Sequence, residues 1–149
     1  MSKLVYRTII SNEKLHAIDE IIRLFFDEIC KPDKTKLTFV IHEIIVNALQ
    51  AYERHKVLST ERIVEIRLDL YLDEVNIEIM DYAGGMQIDK DRMARQSNEN
   101  QSLETNGRGM LFINHFVDEF TWHTHEEGGI MVRLKKKVQK ASDYEYDVI

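Results

Sequence analysis

Apolar positions recur at two distinct periods along the chain. Between Asn12 and Ile29, Leu15, Ile18, Ile22, Phe25 and Ile29 alternate at spacings of three and four, and Ile21 and Phe26 widen the stripe, so a first helix is predicted there. Ser11 or Asn12 can cap it. Its end is expected near Cys30, because Pro32 disfavours helical geometry in Lys31. Asp33 then offers a cap for a second helix running to about His55. From Ile63 to Leu72 the period drops to two: Val64, Ile66, Leu68, Leu70 and Leu72 share one face, and Glu65, Arg67 and Asp69 the other. Val75, Ile77 and Ile79 continue the pattern as the second strand of an antiparallel hairpin. Further strands are predicted over Phe120–His125 and Ile130–Val138, a third helix over Met110–Val117, and an edge strand over Leu4–Ile10. Only two stretches lose periodicity, one at about 89–106 and the other a tail at about 141–149. The prediction is a single-domain α+β two-layer sandwich, a mixed or antiparallel sheet with helices on one face.

Composition narrows the class. A chain of 149 residues, 44% hydrophobic and 31% charged, is long enough for one packed core. No apolar run approaches the roughly 18 residues needed to span a bilayer. The opening MSKLVYRTIISNEK also lacks the continuous apolar core of a signal peptide, so a cytoplasmic address is expected. With 20 basic and 26 acidic residues the net charge is −6, and the single basic run, Lys135 to Lys137 with Lys140, argues against nucleic acid as the main partner. Cys30 is the only cysteine and cannot close an internal disulfide. A small buried side chain is its default role. His123 and His125 stand two apart on a strand without an apparent third ligand, and read as a surface pair rather than a metal site.

Three places can carry chemistry. On the second helix Glu43 and Asn47 stand four apart on a narrow polar stripe within a broad apolar surface. A solvated stripe continued by Lys36, Gln50 and Arg54 is the competing reading, and the helix alone favours it. Asp81 has the parity of Val75, Ile77 and Ile79, so it should point into the core, where a carboxylate needs donors. In isolation the turn cap before Gly84 and Gly85 is the favoured reading. Finally, Asn106-Gly107-Arg108-Gly109 precedes the third helix, where freed backbone N–H groups can surround an anion. A flexible joint is the alternative there. All six glycines lie beyond residue 83, in the pairs 84/85, 107/109 and 128/129.

The order of these features resembles the nucleotide-binding (Bergerat-type) fold of gyrase, histidine kinases and MutL. Glu43-Ile-Ile-Val-Asn47 is similar to its N box, Asp81-Tyr-Ala-Gly-Gly85-Met86 to its first glycine box, and Gly107-Arg-Gly-Met110 to its second. The short chain, the E-x-x-x-N-A form and the ending Gly129-Ile-Met-Val-Arg-Leu-Lys most resemble the bacterial anti-sigma factor serine/threonine kinases. That resemblance implies ATP and Mg²⁺ as cofactors, with Asn47 on the metal, Glu43 as catalytic base, and Asp81, Gly85 and Met86 around the adenine. Gly107, Arg108, Gly109 and Met110 would hold phosphates, and residues 89–106 would form the lid. Its implied partners are an anti-sigma-factor antagonist as substrate and a sigma factor as target; family members are often homodimers. Two other readings are an ATP-binding partner-switching module without phosphotransfer and a histidine-kinase catalytic domain acting in trans. The chain departs from the family pattern at Ala83, where a glycine is usual, at Ala51, where many members have His, and at Ile130, where Thr is frequent.

Overall fold

The computed structural model describes residues 1–83, 113, 115–125 and 128–141. Five strands form one sheet: β1 (Ser2–Ile9), β2 (Ile63–Tyr71), β3 (Glu74–Asp81), β4 (Glu119–Thr124) and β5 (Ile130–Lys137). Their spatial order is β1-β2-β3-β5-β4, and all four pairings are antiparallel, which resolves the mixed-or-antiparallel expectation. β3 is central, and its burial alternates without a break, placing Val75, Ile77, Ile79 and Asp81 on the inner face. Val64, Ile66 and Leu68 of β2 and Ile130, Val132 and Leu134 of β5 complete that inner face. On the outer face Glu65 holds Arg67 at 3.0 Å and Arg7 at 3.8 Å, and Arg133 meets Glu78 at 3.5 Å. Such exposed pairs add little stability but keep this face wet.

Two helices pack on the inner face, α1 (Leu15–Phe25) and α2 (Lys31–Arg54). The amphipathic period runs to Ile29, yet α1 ends at Phe25, about five residues before the predicted end near Cys30. Phe26 and Ile29 are fully buried, so the apolar pattern persists. The backbone, however, turns: Asp27 N–H donates to Leu24 at 3.3 Å, Ile29 N–H to Phe26 at 3.0 Å, and Ile29 then bridges Lys140. α2 likewise begins earlier than predicted, with Cys30 rather than Asp33 at its N-cap and Pro32 in the first turn, where a missing N–H costs nothing. Asp33 is used differently. One of its carboxylate oxygens accepts from the Gln139 N–H at 2.9 Å and from the Cys30 thiol at 3.2 Å, tying the segment after β5 to the start of α2.

α2 buries ten residues, from Leu37 to Tyr52, and is the centre of the helical layer. Trp122 and Phe25 pack against the core and Phe26 lies in it, as expected. Ile113, His115 and Phe116 are helical, and Ile113 is fully buried, so the end of the predicted third helix joins the same core. Val117, the expected last residue of that helix, is described and already non-helical; residues 110–112 and 114, the expected lid at 89–106, and all but the first residue of the 141–149 tail fall outside the described residues. Among the described residues no helix is long and apolar enough to cross a membrane.

Candidate functional site

The site is built from α2 and the end of β3. Glu43 and Asn47 lie one turn apart on α2, about 6 Å along the axis, and both are half-buried. That burial separates them from the exposed Lys36, Gln50 and Arg54 of the same stripe, which do read as solvated. Ala48, next to Asn47, is fully buried and seats this stretch of helix against the sheet.

Asp81 is 3% exposed, the only carboxylate among the described residues in the buried class. Its parity on β3 points it inward as the sequence predicts. The cost of burying a carboxylate is offset by donors: Oδ1 accepts from the Ala83 N–H at 3.2 Å and from the Ile130 N–H at 3.3 Å. The second bond bears on a departure from the family pattern. At residue 130 it is the backbone that reaches Asp81, so isoleucine preserves this contact, although its side chain supplies no hydroxyl.

Gly129 packs against the Asp81 main chain. Its φ is +127°, and a Cβ there would stand 2.0 Å from the Asp81 carbonyl oxygen and 2.9 Å from His125 Nε2. Only glycine fits, on both conformational and steric grounds. The pair 128/129 therefore serves Asp81 as well as the turn into β5. His125, read from the sequence as half of a surface pair, lies just past β4 and donates from Nε2 to the Asp81 carbonyl at 2.6 Å; His123 is exposed.

Tyr52 connects the two halves of the site. Its fully buried hydroxyl donates to the Ile63 carbonyl at 2.5 Å and accepts from the Tyr82 N–H at 2.8 Å. Asn47 lies five residues before it, about 7.5 Å along a rigid helix. One side chain thus fixes the Glu43–Asn47 stretch against the start of β2 and the residue after Asp81. Ala51, at the position where many family members carry His, is fully buried and faces the core. Sequence reasoning missed Tyr52 and His125. A buried tyrosine hydroxyl generally finds a partner, which was a usable signal for Tyr52; nothing local marks His125. Gly85, Met86, Gly107, Arg108, Gly109 and Met110 lie outside the described residues.

A five-stranded antiparallel sheet under helices, with an acid–amide stripe on the central helix and a buried aspartate ending the central strand, defines a GHKL-like ATPase sandwich. The sequence profile of the histidine kinase-like ATPase domain matches residues 13–136, and the chain belongs to that family. Among solved structures it is similar to a chain of the SiaB–SiaC complex from Pseudomonas aeruginosa, with a TM-score of 0.65 at 12% identity, covering 91% of this chain and 88% of that one. At that identity the likeness is one of fold. No curated protein matches the sequence.

Proposed function

We propose that this protein is a Mg-ATP-dependent serine/threonine kinase of the anti-sigma factor type, acting in the cytoplasm on an anti-sigma-factor antagonist and regulating transcription by partner switching with a sigma factor. The observation that carries the reading is Asp81: a buried carboxylate ending an otherwise apolar strand face, oriented by two backbone N–H groups and tied through Tyr52 to the helix bearing Glu43 and Asn47. A carboxylate held this way suits an amino group donated by a flat base such as adenine.

Asn47 fits a magnesium site of the kind that uses few protein ligands. An ion here would rest on the Asn47 side-chain oxygen together with water and the nucleotide's phosphates. Such an ion would neutralise phosphate charge. Glu43, one turn away, takes the proton of a serine or threonine hydroxyl as its oxygen bonds to the γ-phosphorus and ADP leaves. Gly85 and Met86 line the base, and the N–H groups of Gly107 to Met110, with Arg108, hold phosphates under a lid at 89–106. The likeness to a chain of a two-protein complex supports a protein partner.

Calorimetry should detect Mg-dependent ATP binding, and labelled ATP should phosphorylate a partner recovered from native extract by pull-down. Absence of ATP binding overturns the reading. The core-facing Ala51 favours a second reading, an ATP-binding partner switch without transfer. Tight binding with no phosphorylation of the recovered partner would select it.

A further inference from the structure

Resting on the assignment of Asp81 to the base, we propose that His125 is a positioning residue for nucleotide selectivity, holding Asp81 through its main chain. The 2.6 Å contact joins His125 Nε2 to a carbonyl oxygen, which can only accept, so Nε2 carries the proton. Both the neutral Nε2–H tautomer and the imidazolium make this bond.

The ring is itself held. Tyr82 packs edge-on against it, with centroids 5.0 Å apart and planes at 77°. Tyr82 is fixed at both ends: its N–H donates to Tyr52 at 2.8 Å, and its hydroxyl accepts from Arg7 at 3.3 Å. The Arg7 guanidinium also lies 5.2 Å from the Tyr82 ring centroid and 3.8 Å from Glu65. On the other side the turn is closed by its own backbone, with Gly128 N–H donating to the His125 carbonyl at 3.0 Å and His125 N–H to Gly129 at 3.2 Å.

Asp81 is therefore gripped twice by the β4–β5 connection. Ile130 N–H holds its carboxylate, and His125 holds its carbonyl while Gly129 lies close against it. The side chain of Asp81 is what a 6-amino group would meet, and its direction depends on the peptide that carries it. Loss of the His125 bond leaves the Asp81–Tyr82 peptide held by hydrogen bonding at its Tyr82 N–H end, so its carbonyl end can tilt and the carboxylate loses part of its aim. The consequence should fall on recognition of the amino group rather than on nucleotide binding at large.

The test compares ATP with inosine triphosphate, whose 6-oxo group has no hydrogen to donate to Asp81, by calorimetry in the presence of Mg²⁺. Wild type should prefer ATP. His125→Ala should weaken ATP about tenfold, the scale of one displaced charge-assisted hydrogen bond, while changing inosine triphosphate affinity by less than about twofold. His125→Gln, whose amide N–H can reach the same carbonyl, should restore ATP affinity to within about threefold of wild type. Equal weakening of both nucleotides in His125→Ala, unchanged ATP affinity, or no recovery in His125→Gln overturns the proposal while leaving ATP binding intact. Failure of wild type itself to bind ATP, or to prefer it, removes the assignment of Asp81 and the proposal with it.

Discussion

Asp81 and Gly129 show how much of the site is decided by single atoms. At Gly129 even one methyl group has no place, because its Cβ would overlap the Asp81 carbonyl and the backbone is held at φ +127°. Gly129→Ala should lower stability by roughly 2–4 kcal/mol and weaken nucleotide binding, readable in a thermal melt and by calorimetry. Tyr52→Phe keeps the ring but removes the hydroxyl that serves Ile63 and Tyr82. Two backbone groups are left without it, and a loss of about 2 kcal/mol, some 5–8 °C in Tm, is expected in a melt. Glu43→Gln should bind Mg-ATP as wild type does but lose phosphotransfer to the partner by about 100-fold or more. The inward parity of Asp81 and the one-turn spacing of Glu43 and Asn47 were legible because they are local facts, but each alone favoured a structural role, and only their order along the chain pointed to a site. The partners of Tyr52 and His125 were not, since Ile63, Tyr82 and Asp81 come to them only through the fold.

Strands were more legible than helix ends. Alternation fixed β2, β3 and β5 to within a residue or two, because one face is apolar and the other charged. The boundary between α1 and α2 was misplaced because its determinants lie more than a hundred residues away. Cys30 N–H donates to the Gln139 carbonyl at 2.8 Å, Ala141 N–H to Glu28 at 2.9 Å, and Gln139 N–H to Asp33. This junction also shelters the one thiol. Burial pushes the Cys30 thiol above its ordinary value of 9.0, with the neighbouring Asp33 carboxylate adding to the rise. Native protein at pH 8 should therefore react with a maleimide far more slowly than the unfolded chain does. The sign of the pH effect follows: the contribution is fully present below pH 9.0, and stability is lost as pH rises from there through the folded value. Equal labelling of native and unfolded protein would contradict the burial of this junction.

At the scale of the whole molecule, the order β1-β2-β3-β5-β4 places β3 at the centre and delivers its last residue to the turn between the two final strands. Tyr52, on α2, meets that same end of the sheet. All six glycines lie in the second half of the chain, but sequence order cannot say that Gly129 and Asp81 touch; the antiparallel pairing of β3 with β5 brings them together. Under the proposed function this convergence is a base pocket organised by Asp81. Mg-ATP binding measured by calorimetry on wild type and on Asp81→Asn tests it most directly. Wild type should bind, and the variant should bind roughly 10- to 100-fold more weakly with its fold retained in circular dichroism. Equal affinity in the two proteins, or no binding by either, would contradict it.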